Sequence, residues 1–215
     1  MSKIHFMTPC YGGNITEACF NSYLQWTAYA VKHGIQHNID TLANESNVNK
    51  ARNSCVARFL AGDATHLMFV DADIQWKTLD IVKLITHDVD VVGGIYPQKT
   101  LPPRMVVNTI DNGIHEGNLL EVGTIGTGFM MIKRIVFEAM IEQGAAKYKD
   151  AGGIAHDFYN CTIDSNGEYL TEDWSFCRRW RQLGGTVYAD TTVALAHVGY
   201  HKFMPDLGAM NNGKN

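Results

Sequence analysis

The chain has 215 residues, 46% hydrophobic and 19% charged, enough apolar material for one buried core and too much for a disordered polymer. Eighteen Lys and Arg stand against 22 Asp and Glu, a net charge of -4, so no basic face awaits a nucleic acid. No run approaches the roughly 20 apolar residues of a membrane helix, and MSKIHFMTPC holds too short an apolar stretch for a signal peptide.

Residues 3–8 are predicted to form a short apolar strand ended by Pro9. Residues 14–33 carry Phe20, Tyr23, Leu24, Thr27, Ala30 and Val31 at helical spacing, with Gly34 as the stop. A strand is expected over 35–42, then a helix over 47–61 with Val48, Ala51, Cys55, Phe59 and Leu60 on one face. HLMFV at 66–70 is continuously apolar, the mark of a strand buried on both faces. A helix near 78–86 leads into the strand VDVVGGIYP. This alternation predicts an α/β fold with a parallel sheet covered by helices on both sides.

The second half is less regular. MVVNT (105–109) and NLLEV (118–122) flank a turn at Asp111 to Gly113, as in a hairpin. GTGFMMI (126–132) reads as another buried strand, followed by a helix near 134–143. Residues 144–170 have no period and are expected to form a long functional loop or partial lid. A helix over 172–183 turns Phe176, Cys177, Trp180 and Leu183 inward, and TVYAD and TVALAHV close as strands. One domain is expected over 1–207, with 208–215 a flexible tail or a linker to further domains. Cys10, Cys19, Cys55, Cys161 and Cys177 are odd in number, scattered and without a CxxC pair. They read as reduced thiols of a cytoplasmic protein, where the sequons at Asn14 and Asn160 carry no weight.

The chemistry concentrates at Asp71-Ala72-Asp73, directly after HLMFV. Open α/β sheets bind ligands beyond the carboxyl ends of their strands. If the extended backbone persists, Asp71 and Asp73 point to one side, where they repel until a divalent cation joins them. Hard oxygen donors with open positions suit Mg²⁺ or Mn²⁺.

The segments TPCYGG, NKARN, FVDADI, VVGGIYPQK, GTGFMMIKR, TEDWSFCRRWRQLGG and AHVGYH, in that order, resemble those of GT-A-fold glycosyltransferases. The resemblance implies a Rossmann-like mixed, mainly parallel central sheet flanked by helices. It implies metal-dependent transfer of a hexose from a UDP-sugar, UDP-glucose-like, to a sugar or glycan acceptor hydroxyl in glycan synthesis. It also implies a third metal ligand, for which His197 is the candidate because it ends the strand TVALA; imidazole favours Mn²⁺ over Mg²⁺. Thr8, Pro9, Cys10 and Tyr11 would frame the uracil and ribose, with Gly12 and Gly13 allowing a close turn. Arg52, Lys99 and Lys202 would meet the diphosphate, with Asn53 a weaker candidate beside Arg52. Ala72 and Gly128 would bring backbone near the donor. Glu172 and Asp173 begin a helix behind Thr171, a good cap for acidic first-turn residues. A carboxylate there could also take the acceptor's proton, with Asp173 ahead of Glu172. Two rivals stand beside this reading. A sugar-1-phosphate nucleotidyltransferase would carry a basic residue in its glycine-rich loop, which TPCYGGN lacks; a non-catalytic nucleotide-sugar-binding module would bind without transfer.

Overall fold

A computed structural model describes residues 2–111, 113–150 and 152–205. The expected tail at 208–215 lies outside the described residues. In chain order, β1 (Lys3–Cys10) is followed by α1 (Glu17–His33), β2 (Gln36–Ala43), α2 (Val48–Ala61) and β3 (His66–Val70). Then come β4 (Ile74–Gln75), α3 (Thr78–Thr86), β5 (Val91–Ile95), β6 (Val107–Thr109), β7 (His115–Glu116), β8 (Leu119–Ile125) and β9 (Phe129–Lys133). After α4 (Arg134–Glu142) lie β10 (Lys147–Asp150), β11 (Gly153–His156), β12 (Thr162–Ile163) and β13 (Tyr169–Leu170). The described chain closes with α5 (Glu172–Gln182), β14 (Tyr188–Ala194), β15 (Ala196–Val198) and β16 (Lys202–Phe203).

The central sheet runs in the order β2-β1-β3-β9-β5-β14-β8-β6, with β7 on β8. β1 pairs parallel with β2 and β3, and β5 parallel with β14. β9 lies antiparallel between β3 and β5, and β8 antiparallel to β14, β6 and β7. Only β8 and β9 oppose the common direction, so the sheet is mixed and mainly parallel. The purely parallel order suggested by the first half is corrected here: β3 and β5 are not neighbours, because β9 separates them. GTGFMMI is as apolar on both faces as a parallel strand, so its pattern carries no sign of its direction.

The continuous apolar runs follow from burial on both faces. Along β3, Leu67 and Phe69 enter one core and Met68 and Val70 the other; along β9, Met130 and Ile132 divide from Phe129 and Met131 in the same way. One core lies under α2, α4 and α5 around Phe59, Phe137, Tyr159 and Phe176. The other lies under α1 and α3 around Phe6, Trp26 and Trp76, with Phe6 and Trp76 stacked at 6.1 Å.

α1 begins where Thr16 Oγ1 accepts from Cys19 N–H and ends at Gly34, whose φ of 66° is the left-handed stop. Its buried face is Cys19, Ser22, Tyr23, Trp26 and Ala30, so the expected stripe is rotated. Phe20, Leu24 and Val31 are 50%, 52% and 74% exposed; the larger Trp26 takes the core instead. The segment 144–170 is also corrected. It holds two hairpins, β10–β11 and β12–β13, and is fastened to α2 by Ser54 to Asp150 at 2.6 Å and by Asn53. Asn53 donates to Asp157 and accepts from the N–H groups of Phe158 and Tyr159, both buried. Strands of two to four residues, with only Ala155 and Leu170 buried, are too short to show a readable period.

Arg134 ties the two halves. Its guanidinium donates to the carbonyls of Phe59, Leu60, Gly62 and Ala64 at 2.8–3.2 Å and lies 4.7 Å over the Phe59 ring. These include carbonyls at the end of α2 that have no helical partner. Replacing Arg134 by Ala is expected to cost about 2–4 kcal/mol, since several charge-assisted bonds are lost together. Urea unfolding of the two proteins measures it.

Candidate active site

A cleft of about 470 Å³ opens where β1 and β3 end, lined among others by Pro9, Tyr11, Glu45, Ser46, Asp71, Ala72, Asp73 and Lys99. Two left-handed glycines, Gly12 at φ 70° and Gly13 at φ 72°, turn the chain from β1 toward α1 and leave Tyr11 exposed at the rim. Asp71-Ala72-Asp73 forms its floor, and all three carbonyls are tied. Asp71 O accepts from Ile74 N–H at 3.1 Å, Ala72 O from Thr16 N–H at 2.8 Å and Asp73 O from Val198 N–H at 2.8 Å. Thr16 Oγ1 adds a second bond to Ala72 O at 3.1 Å.

The bond between Ile74 and Asp71 marks a turn, so the extended alternation assumed from the sequence stops at Asp71. The two carboxylates consequently have different partners. Asp71 lies 3.1 Å from Arg52 Nη2, and Arg52 Nε lies 3.5 Å from Glu172 Oε1. Asp73 Oδ2 accepts from Lys99 Nζ at 2.5 Å, and Asp73 Oδ1 faces His197 Nε2 at 3.3 Å. Arg52 is only 4% exposed and stacks 5.3 Å over Phe69. Burial by itself favours its neutral form, but Asp71 and Glu172 keep it charged and raise its pKa. Burial raises Glu172, and Arg52 only partly offsets that. Burial works on Asp73 in the same direction, yet His197 and Lys99 outweigh it and hold the carboxyl below its usual range.

The other expected residues divide by position. Pro9, Tyr11, Ala72 and Lys99 line the cleft with Asp71 and Asp73. Thr8 is fully buried and bonded to Tyr23 Oη at 2.6 Å, a packing role. Cys10 is buried, and burial followed by Asp71 raises its thiol pKa. Gly128 sits behind the floor: its carbonyl accepts from Asp71 N–H at 2.8 Å, and its N–H donates to Tyr96 Oη at 3.0 Å. A Cβ there would come within 2.7 Å of both Asp71 Oδ2 and Tyr96 Oη, which is why the position has no side chain. Lys202 is exposed on β16, opposite Val198 of the cleft wall. At the start of α5, Thr171 makes no side-chain cap bond; its hydroxyl donates to Asp173 Oδ1, which also accepts from Trp174 N–H at 2.9 Å. An acidic side chain two residues on captures the hydroxyl more strongly than a backbone donor can.

Sequence reasoning missed Thr16, Glu45, Ser46 and Tyr96. Thr16 had a cap signal; Glu45 and Ser46 follow β2, a strand-end position of the same kind as Asp71. For Tyr96 nothing but its place after β5 marks it.

Among the described residues no group of three or more His, Cys, Asp or Glu side chains is gathered to hold a metal ion. Asp71, Asp73 and His197 are not brought together as one donor set, because Asp71 faces Arg52. The pair Asp73 and His197 does fit a hard divalent cation. His197 Nδ1 lies 2.8 Å from the Pro97 carbonyl, which only accepts, so Nδ1 carries a hydrogen and Nε2 is the ring atom that faces Asp73. A carboxylate oxygen and an imidazole nitrogen 3.3 Å apart have room for a proton or a cation between them.

No protein-family description and no curated protein matches the chain. Solved structures do. The chain is similar to the crystal structure of A197 from STIV, with 21% identity, a TM-score of 0.58 and coverage of 95% of this chain and 94% of that one, so the two share a fold. It also matches a glycosyltransferase involved in glycosylation of the major capsid of PBCV-1, with 12% identity, TM-score 0.38 and coverage of 65% and 64%. GalNAc-T7 with UDP, GalNAc and Mn²⁺ matches at 9% identity and TM-score 0.49, over 93% of this chain and 44% of that one. The mixed, mainly parallel sheet flanked by helices is the architecture expected of the GT-A resemblance. No described helix is long and apolar enough to cross a membrane.

The depressed Asp73 carboxyl gives a signed pH dependence. Its pairing stabilises the fold above the ordinary carboxylate range and is lost as pH falls through the depressed folded value. Asp73→Asn is therefore expected to be about 1 kcal/mol less stable than the parent at neutral pH, the partly exposed pair limiting the size. The gap closes on acidification. Denaturation curves across pH measure both the sign and the window.

Proposed function

We propose that the chain is a metal-dependent glycosyltransferase that moves a hexose from a UDP-sugar to an acceptor hydroxyl. The observation that carries this reading is the cleft at the ends of β1 and β3, with Asp73 on its floor facing His197 at 3.3 Å, next in the chain to the cleft-lining Val198. Such a site is built for a ligand that brings its own negative charge and a cation. Tyr11 and Pro9 receive the nucleoside, Tyr11 offering an exposed ring as a stacking face. Lys99 pairs with the diphosphate. Asp73 and His197 would hold a divalent cation, Mn²⁺ before Mg²⁺, which offsets the charge developing on the leaving diphosphate.

The acceptor side belongs to the start of α5. Asp173 is held through Oδ1 by Thr171 and Trp174 N–H, and Oδ2 is the oxygen that takes the acceptor's proton. Glu172 is set by Arg52, which joins it to Asp71 on the donor side. In this reading Arg52, buried between Asp71 and Glu172, positions the two carboxylates in place of the diphosphate contact that the resemblance implies.

Calorimetric titration with UDP-glucose is expected to show binding strengthened by Mn²⁺; equal binding with and without the ion counts against the cation bridge. Asp73→Asn should remain folded by circular dichroism and lose sugar transfer and donor hydrolysis by 100-fold or more, an order-of-magnitude expectation for a lost electrostatic group. Parent-like turnover in that variant defeats the assignment.

A further inference from the structure

The two carboxylates of the cleft floor have cations of different kinds. Arg52 is buried, stacked on Phe69 and shared between Asp71 and Glu172, so it has nowhere to go. Lys99 makes one ion pair from a side chain 37% exposed, with Asp73 itself 31% exposed, and it lines the cleft. Its ammonium is a compact, strongly hydrated charge on a flexible stem, easily exchanged for another cation.

The surrounding backbone lets the side chain move while its root stays fixed. On either side of Lys99 the chain is bridged, Gln98 N–H to Arg104 O at 2.7 Å and Val106 N–H to Tyr96 O at 3.0 Å. Gly199 leaves the room for the stem: a Cβ there would lie 3.1 Å from Lys99 Cδ and 3.5 Å from Cε. Lys99 also takes the carboxylate oxygen that His197 does not. Asp73 Oδ1 faces the imidazole at 3.3 Å and Oδ2 meets the ammonium at 2.5 Å. A divalent cation arriving at Asp73 would repel a positive charge already seated on the same group.

Resting on the cation-assisted reading above, we propose that Lys99 is an internal counter-ion that competes with the divalent cation for Asp73. When the cation binds, Lys99 leaves Asp73 and turns its ammonium to the donor's diphosphate. The exchange breaks and forms only ionic contacts. It keeps Asp73 paired before the cation arrives and places a positive charge at the diphosphate after it.

The test measures Mn²⁺ binding to the full chain without nucleotide, by the paramagnetic resonance of free Mn²⁺, for the parent, Lys99→Met, Lys99→Arg and His197→Ala. Lys99→Met is expected to bind Mn²⁺ roughly tenfold tighter, because a partly screened competing charge is gone. Lys99→Arg, which keeps the charge, should stay near the parent, and Lys99→Gln, uncharged like Met, carries the same tightened-binding expectation if the Met variant folds poorly. His197→Ala should bind more weakly. With saturating Mn²⁺, calorimetry should show UDP bound several-fold more weakly by Lys99→Met than by the parent. Parent-like or weaker Mn²⁺ binding by Lys99→Met, while His197→Ala still weakens it, overturns the role of Lys99 and leaves the cation site standing. Unchanged UDP affinity in Lys99→Met overturns the second half of the proposal. Failure of the parent itself to bind Mn²⁺ overturns the cation reading and this proposal together.

Discussion

Two carboxylates separated by one alanine at a strand end repel each other, and the way this repulsion is relieved organises the whole cleft. They do not share a ligand. The turn at Asp71 sends one side chain to Arg52 and the other to Lys99 and His197, so each carboxylate has a cation or imidazole of its own. These partners come from α2, from the segment after β5 and from β15, far apart in the chain. Folding must assemble all three before the floor of the cleft is electrostatically acceptable.

The backbone meets the same demand. Carbonyls at a strand end have lost their sheet partners and need donors. Here Thr16 at the head of α1 and Val198 of β15 supply them, so two elements that shape the cleft also fix its floor. β9 does the rest from behind. Its antiparallel insertion between β3 and β5 brings Gly128 against Asp71, and Tyr96 fills the space that a side chain at Gly128 would claim. The glycines of GTG are required by close packing: a Cβ at Gly126 would meet Tyr96 and Val106, and one at Gly128 would meet Tyr96 and Asp71.

Much of the scaffold was legible because burial on both faces leaves continuous apolar runs, as in HLMFV and GTGFMMI. Strand direction was not legible from the same runs, which look alike whichever way the strand points. In α1 the spacing showed a helix, but Phe20, Leu24 and Val31 competed with Cys19 and Trp26 for the inward face, and packing on Phe6 and Trp76 decided it. In the site, strand-end positions were readable and pairings were not. That Asp71 would turn to Arg52 depends on a backbone bond between Asp71 and Ile74, a local event that side-chain alternation assumes away.

Arg52 gives this arrangement its asymmetry. A guanidinium buried to 4% exposure and shared by two carboxylates cannot be removed without leaving Glu172 or Asp71 uncompensated, so it behaves as structure. Any ligand charge that draws Asp71 away from Arg52 strengthens the hold of Arg52 on Glu172, because the same guanidinium serves both. The end of β3 and the start of α5 are thereby joined through one buried cation, while Lys99 in the cleft is part-exposed and singly paired.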